Sequence, residues 1–204
     1  PIDADEPGRV AEAVRRLKLN HVVITSPTRD DLPDGGAGLY AATVTAIRNA
    51  SPETRIELLI PDFKGERASL KEVISSNPHI LGHNIETVPR LYGIRSGSDY
   101  HRSLDVLRIC RELAPEIRTK SGIMLGMGES GEEILQVFAD LRAVDCSYLS
   151  IGQYLAPSRV HHPVHEYVRP EKFDELREIA LKLGFVHVES GPYVRSSYHA
   201  GQYV

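Results

Sequence analysis

The sequence predicts an α/β fold, a partial TIM-type (β/α) barrel in which parallel strands lie inside and helices lie outside. Short apolar runs rich in β-branched residues alternate with helical patterns along the 204 residues, and short connections between such elements favour parallel strands joined by crossover helices. The apolar runs end abruptly in polar, glycine-rich or charged clusters. Because loops at the carboxyl edge of a parallel sheet build sites in this way, functional residues should follow the strands.

The first half of the chain supplies three helix–strand pairs. Each is predicted by apolar residues at helical spacing or by a contiguous apolar run. In chain order they are a helix at about 7–19, the strand His21–Thr25, a helix at about 37–50, the strand Arg55–Ile60, a helix at about 68–76 and the strand Ile80–His83. Pro7 suits the first turn of its helix, and Pro78 ends the third helix.

The second half repeats the alternation. In chain order it predicts a helix at about 100–113, the strand Lys120–Gly126, a helix after Ser130, the strand Tyr148–Ile151, a helix at about 170–183 and the strand Val186–Val188. Ser130 and Glu133 have the spacing of a capping box, and Gly184 ends the last helix. Residues 153–169, which are rich in Pro and His, form the longest irregular segment, and such loops are often functional.

Composition limits the class of protein. With 41% apolar and 25% charged residues, we expect one domain over residues 1–204, with a tail motif at 191–200. The net charge of −4 provides no broad basic field, which argues against a nucleic-acid partner. No membrane span or signal segment is predicted, so we expect a cytoplasmic protein, or one of the mitochondrial matrix or plastid in a eukaryote. Cys110 and Cys146 are expected to be reduced packing residues.

Two strand-end clusters carry candidate binding groups. The triplet Asp34, Gly35 and Gly36 follows the first predicted strand. Its carboxylate can hold an ammonium group and its glycines can expose backbone to a ligand, or the segment can be a solvated turn that caps the next helix. Asn84 and Glu86 follow the third strand and suit hydroxyl recognition, although Asn84 can also be a helix cap.

Four motifs together indicate a family. The pattern Gly122-x-Met124-x-Gly126-x-Gly128-Glu129 resembles the adenine-side strand of radical S-adenosylmethionine enzymes. Three further stretches, within 25–37, 152–159 and 191–200, sharpen the likeness, the last reading Arg195-Ser196-Ser197-Tyr198-His199. In combination the chain resembles lipoyl synthase from Pro1 to about Ala200.

That resemblance implies sulfur insertion into a protein-bound substrate. Lipoyl synthases add two sulfur atoms, at C6 and C8, to an octanoyl group on a lipoyl-carrier domain, such as a 2-oxoacid dehydrogenase E2 subunit or the glycine cleavage H protein. One [4Fe–4S] cluster cleaves S-adenosylmethionine to a radical, a second [4Fe–4S] cluster gives up sulfur, and ferredoxin or flavodoxin donates electrons. The protein orients these cofactors and excludes water.

The resemblance also implies what this chain lacks and what it retains. The family's two cysteine triplets and its first barrel strand would lie upstream of Pro1, so we expect a truncated chain that does not bind the radical cluster or turn over alone. The family supplies a tail serine to the auxiliary cluster, and Ser197 is the first choice, with Ser196 as the alternative. Arg195 is a further catalytic candidate, and together with Arg159 it could face the carrier domain or order the surroundings of the cluster.

Group chemistry and strand-end position assign each candidate residue to a part of S-adenosylmethionine. Asp34, Gly35 and Gly36 are expected at its methionine end, Asn84 and Glu86 at its ribose or amino group, Lys120 at its carboxylate, and Gly126 beside its adenine. Related enzymes have Gly-Gly-Glu where this chain has Gly35-Gly36-Ala37, which leaves the acceptor of the ammonium group open.

Two alternatives belong to other classes. A barrel lyase could use Lys120 as a Schiff-base nucleophile, because a desolvated lysine is reactive near neutral pH. A non-catalytic scaffold could instead dock the acyl-carrier domain. The imidazoles of His161, His162 and His165 invite a metal site, but the likeness to the family argues against one.

Overall fold

A computed structural model, which describes residues 2–202, contains one sheet of six parallel strands covered by helices. In chain order the elements are α1 (Glu6–Leu17), β1 (His21–Thr25), α2 (Ala37–Ala50), β2 (Arg55–Leu59), α3 (Arg67–Ser75), β3 (Ile80–Gly82), α4 (Tyr100–Leu113), β4 (Arg118–Leu125), α5 (Gly131–Ala143), β5 (Tyr148–Gln153), α6 (Pro170–Lys182) and β6 (His187–Ser190). Short 3₁₀ turns lie at Phe63–Gly65, Pro89–Ile94 and Ala200–Gln202. Each predicted helix and strand is present.

The strands lie in sequence order, from β1 to β6, and every neighbouring pair is parallel. Within residues 2–202, β1 and β6 are the two edges and do not pair with each other. The sheet is therefore an open partial barrel, as predicted. Within the same residues, no helix is both long and apolar enough to cross a membrane.

The strand bounds differ from prediction at the end of the sheet. β5 continues to Gln153 because Met124 and Leu125 of β4 provide backbone partners for Gly152 and Gln153. β6 begins at His187 and continues to Ser190, which pairs with Ile151. Pairing with a neighbouring strand, which a local apolar run does not reveal, sets these lengths.

Side chains alternate between the two faces of each strand, and the two faces differ in chemistry. The face covered by helices is apolar, and its buried strand residues are Ile56, Leu58, Leu81, Ile123, Leu125, Leu149, Ile151 and Val188. The concave face carries Glu57, Lys120 and Glu189, besides a small apolar contact between Ile80 and Tyr148. Folding therefore depends on the helix side, and the concave side is left for polar groups.

Local signals at helix ends behave as the sequence predicts. Ser130 and Glu133 form a reciprocal capping box at the start of α5, with N–O distances of 3.2 and 2.8 Å.

Cys110 and Cys146 are buried, and burial raises the pKa of each thiol to about 12. Neither thiol is therefore ionised near neutral pH, as expected of packing residues.

The core between the sheet and α5 can be tested by truncating Phe138, which is fully buried. Phe138→Ala removes a ring and leaves a cavity, and should lower the free energy of unfolding by about 3–5 kcal/mol. Leu135→Ala on the same helix is the matched control: Leu135 is 39% exposed, and its change should cost about 1 kcal/mol or less. Urea unfolding measures both, and equal losses would contradict this account of the core.

Candidate active site

Two adjoining cavities at the carboxyl edge of the sheet share Asn84 and Glu86 in their linings. The outer cavity, of about 550 Å³, lies among the loops after β1, β2 and β3. Its lining includes Thr25, Ser26, Asp62, His83, Arg95 and Arg102. The inner cavity, of about 270 Å³, lies over β4 and β5. Its lining includes Gly122, Met124, Gly152, Arg195 and Ser196.

Asn84 and Glu86 join the two cavities. Asn84 Nδ2 donates to Glu86 Oε1 at 3.1 Å and to Ser196 Oγ at 2.7 Å. The backbone of Glu86 bonds to Gly122 and Met124 of β4 at 2.8 Å on each side, and it is held with a positive φ of 67°. Such a conformation costs a non-glycine residue about 1 kcal/mol. Strain of this kind is typical of functional sites.

Burial raises the pKa of the Glu86 carboxyl, although Arg95 and the amide of Asn84 oppose the shift. A carboxyl with a raised pKa can hold a proton nearer to neutral pH than an exposed one does. The pair of Asn84 and Glu86 therefore offers both hydrogen-bond donors and acceptors to a ligand. Asn84 and Glu86, which the sequence placed at one strand end, therefore form a close cluster in the structure.

The C-terminal tail, residues 191–202, crosses the concave face. At β5 a Cβ on Gly152 would lie 2.3 Å from the carbonyl oxygen of Val194, so only glycine admits the tail there. At β1 a Cβ on Gly201 would lie 3.8 Å from His21 Cβ. The tail thus runs from β6 back to β1 and brings its serines to the strand ends.

The two tail serines have different surroundings. Ser196 lines the inner cavity, and its hydroxyl accepts from Asn84. Ser197, the first choice from the sequence, is exposed and lines neither cavity. Arg195 lines the inner cavity but is exposed, and its Nη1 donates to the carbonyl of Val194 at 2.7 Å. The exposed Arg159 lies in the loop 153–169.

Lys120 lies below the cavities, within the concave face, and its side chain is 2% exposed. Its Nζ donates to Glu57 Oε1 at 2.9 Å and to the carbonyl oxygen of Ser196 at 2.6 Å. Burial lowers the pKa of Lys120, and the charge of Glu57 opposes that shift. The amine lines neither cavity, so it meets Asn84 only through Ser196, which both side chains contact.

The triplet Asp34-Gly35-Gly36 starts α2. The carboxylate of Asp34 accepts from the backbone N–H groups of Gly36 and Gly38 at 2.9 and 2.8 Å, and these bonds hold the pKa of Asp34 below its ordinary value. Gly35 and Gly36 have φ of 64° and 89°. The triplet lines neither of these two cavities, although Gly36 lines a separate one of about 370 Å³ between α1, β1 and α2. The geometry matches the helix-capping interpretation that the sequence left open.

Gly126 is required by packing as well as by backbone shape. Its φ is 97°, and a Cβ there would lie 2.3 Å from both Gln153 Nε2 and the carbonyl oxygen of Glu166. The carboxylate of Glu129 accepts from the N–H groups of Gly126 and Met127 at 2.6 and 2.9 Å. The loop 153–169 therefore folds back onto this turn. The sequence motif includes Glu129, but it did not predict that this carboxylate would hold the turn.

The histidines of that loop serve local contacts. His162 Nε2 bonds to the carbonyl of Met127 at 2.8 Å, and its ring stacks on His165 with centroids 5.2 Å apart. His161 Nδ1 bonds to the hydroxyl of Ser158 at 2.8 Å. Across residues 2–202 no group of three or more His, Cys, Asp or Glu side chains is arranged to hold a metal ion.

Sequence reasoning missed the far wall of the outer cavity. Arg102 of α4 pairs with Asp62 at 2.7 Å, whereas Lys64, which is close to Asp62 in the sequence, pairs with Asp30 at 3.5 Å. His83 is buried there, and its Nδ1 bonds to the carbonyl of Ile60 at 2.9 Å. No strand-end pattern points to Arg102, because it lies on a helix.

Known proteins match this chain over most or all of its length. Residues 1–141 match the radical SAM superfamily. The lipoyl synthase of Geobacter metallireducens is 70% identical over 203 residues, a match that covers 100% of this chain and 72% of that protein. The lipoyl synthase of Geobacter sulfurreducens is 69% identical over 203 residues, covering 100% of this chain and 67% of that protein.

Solved structures agree with the fold. Methylornithine synthase has a TM-score of 0.64 at 14% identity, covering 96% of this chain and 64% of its own. A maturase of the [FeFe]-hydrogenase has a TM-score of 0.66 at 13% identity, covering 98% and 52%. At such identity the likeness shows the architecture alone. The family match and the two lipoyl synthases show more, and the chain belongs to the lipoyl synthase family of the radical SAM superfamily.

Proposed function

We propose that this chain is part of an enzyme that inserts two sulfur atoms, at C6 and C8, into a protein-bound octanoyl group. The observation that carries the proposal is 70% identity to a lipoyl synthase over 203 residues. The route of the tail adds support, because it brings the hydroxyl of Ser196 to Asn84 within the concave face. Proteins of this family use [4Fe–4S] clusters and S-adenosylmethionine.

The outer cavity fits the polar groups of S-adenosylmethionine. Its ribose hydroxyls and ammonium need acceptors, which Glu86 and Asn84 provide, and its carboxylate needs a cation, which Arg95 or Arg102 provides. Burial lowers the pKa of His83, so its imidazole is neutral. His83 Nε2 is buried with no hydrogen-bond partner among residues 2–202, and a bound hydroxyl or ammonium would satisfy it.

These residues divide into contacts and supports. We propose that Asn84 and Glu86 hold the ribose or amino group and that Gly126 forms the adenine side. Asp34 is committed to the start of α2 and Lys120 to Glu57, so we propose both as supports. When bound, the reduced cluster and S-adenosylmethionine supply a radical that abstracts hydrogen, while the surrounding residues orient the groups and exclude water.

The clusters need ligands beyond the described residues. Cys110 and Cys146 are buried in the core and cannot provide a cysteine triplet. We propose that triplets upstream of Pro1 hold two [4Fe–4S] clusters and that a tail serine completes the auxiliary one. Of the two tail serines, Ser196 has the better position. An alkoxide is a harder ligand than thiolate, which suits a labile position on a cluster that loses sulfur.

The substrate and partners follow from this reaction. The substrate is an octanoylated lipoyl-carrier domain, for which we propose a 2-oxoacid dehydrogenase E2 subunit or the glycine cleavage H protein. The exposed side chains of Arg159 and Arg195 are proposed to face it. We further propose ferredoxin or flavodoxin as the electron donor and the cytoplasm as the location.

The full-length gene product, prepared without oxygen, tests the function directly. It should carry about eight irons, in two four-iron clusters, and should convert an octanoylated carrier domain to the lipoylated form, detected by intact mass. Cleavage of S-adenosylmethionine without sulfur insertion would contradict the proposal. A docking scaffold would bind the carrier without cleavage, and a Schiff-base lyase would be trapped on Lys120 by borohydride in the absence of iron.

A paired substitution assigns the tail ligand. Ser196→Ala should reduce sulfur insertion by about 10-fold to 100-fold, the usual cost of losing a group that holds a metal centre, and should leave cleavage of S-adenosylmethionine intact. Ser197→Ala is the matched control and should change sulfur insertion by less. Mass spectrometry of the carrier measures insertion, and release of 5′-deoxyadenosine measures cleavage. The reverse order of effects would restore Ser197 as the ligand.

Glu86 should make stability depend on pH with a definite sign. Because burial raises its pKa above 4.5, the native state keeps this proton to a higher pH than the unfolded chain does. The resulting stability is fully present below the unfolded-state pKa and is lost as pH rises through the folded-state pKa. Glu86→Gln cannot ionise, so its stability relative to the parent should increase as pH rises across that window.

Urea unfolding at several pH values from about 4 to about 8 measures this difference. The control is Glu132→Gln, since Glu132 is exposed at the start of α5 and its replacement should give a difference that changes little with pH. A stability difference for Glu86→Gln that stays constant or falls as pH rises would contradict the proposed burial of this carboxyl.

A further inference from the structure

We infer that Lys120 and Glu57 form a buried anchor that positions the tail serines inside the open barrel. For its consequence in catalysis this inference rests on the proposed function, but the anchor itself is a property of the fold. Lys120 is then a positioning residue, which acts through the tail. It is neither a nucleophile nor a direct contact for S-adenosylmethionine.

The anchor begins with two charges on the concave face. Lys120 of β4 and Glu57 of β2 are 2% and 1% exposed, and their charged atoms lie 2.9 Å apart. β3 lies between the two strands, so the pair spans three strands of the sheet. His21 of β1 extends the group, with Nε2 at 3.5 Å from Glu57 Oε2. The charges of Lys120 and Glu57 lie where the tail crosses.

The tail is held at both oxygens of one residue. Lys120 Nζ donates to the carbonyl of Ser196 at 2.6 Å, and Asn84 Nδ2 donates to its hydroxyl at 2.7 Å. The two donors come from β4 and from the loop after β3. Two such bonds fix both the position and the rotation of Ser196, and they also limit where Ser197 can lie.

The neighbouring tail residues fit around this point. The carbonyl of Val194 lies against Gly152, where any side chain would collide with it. Beyond the serines, backbone N–H groups of Tyr198 and Gln202 close turns onto Arg195 and His199, each at 2.8 Å. The tail starts on the sheet, where Gly191 N–H donates to the carbonyl of Ile151 at 3.0 Å, and the turns beyond it bond within the tail. Further along, the anchor ties Ser196 to the sheet.

The energetics favour a positioning role. A buried ion pair seldom adds net stability, because desolvation of the two charges offsets their attraction, whereas removal of one partner is strongly destabilising. What the pair provides here is a cation, fixed in place by Glu57, that donates a charged hydrogen bond to a tail carbonyl. Bonds of this kind are stronger than those between neutral groups. The pair thus holds the tail more firmly than a neutral donor would.

The experiment measures how firmly the tail is held to the sheet, and it does not depend on turnover. In the full-length protein, Lys120→Met removes the donor but leaves Glu57 buried without this cation, so the variant could fail to fold. Glu57→Gln/Lys120→Met removes both charges and preserves side-chain volume. Lys172→Met is the matched control, because Lys172 forms an exposed pair with Glu175 on α6 rather than a buried one.

Hydrogen exchange of the backbone amides in residues 194–202, followed by mass spectrometry, is the first measurement. In the double variant these amides should exchange about 10-fold to 100-fold faster, the equivalent of losing one charged hydrogen bond. Amides of β5 and α5 should exchange as in the parent. Lys172→Met should leave both regions unchanged. Unaltered exchange in the tail of the double variant would overturn the inference.

Loss of iron to a chelator is the second measurement, and it separates the inference from the proposed function. If the tail holds a ligand of the auxiliary cluster, half of the iron should leave the double variant faster than it leaves the parent. Faster tail exchange in the double variant of a protein that never lipoylates a carrier would contradict the proposed function and support the anchor. Normal tail exchange in the double variant of a protein that does lipoylate would contradict the anchor alone.

Discussion

The rest of the structure depends on one constraint: the two faces of the open parallel sheet are covered in different ways. Helices cover one face with apolar side chains such as Ile56 and Leu149, and burial of that area provides most of the driving force for folding. The other face is concave and carries charges. Because the strands do not close within residues 2–202, the polar tail can cross that face, and the site forms between tail and strand ends.

Glycines decide how closely the chain can approach this face. At Gly152 a side chain would meet the carbonyl of Val194, and at Gly126 it would meet Gln153 and Glu166. The first contact admits the tail and the second admits the loop 153–169. Both positions lie at the end of a strand, where a ligand must also approach the backbone. The same small residues thus serve packing and access, which explains why glycine motifs at strand ends are informative.

The candidate site was partly predictable, and its residues show why. Asn84 and Glu86 follow a short strand and lie at the shared wall of the two cavities, as strand-end logic requires. Asp34 also follows a strand, but its carboxylate is satisfied by Gly36 and Gly38 and serves the start of a helix. Lys120 lies low on its strand and faces Glu57. Chemistry alone could not distinguish these cases, because each carboxylate or amine is a plausible ligand until its partner is known.

The sequence by itself determined the fold class, the order of helices and strands, and the family, because periodicity, caps and motifs depend on residues a few positions apart. Only the tertiary structure decided which tail serine enters the cavity and what the buried lysine does. Asn84 and Ser196 are 112 residues apart in the chain, and Lys120 and Ser196 are 76 apart. Contacts over such separations depend on strand order and on the path of the tail, and no local pattern encodes them.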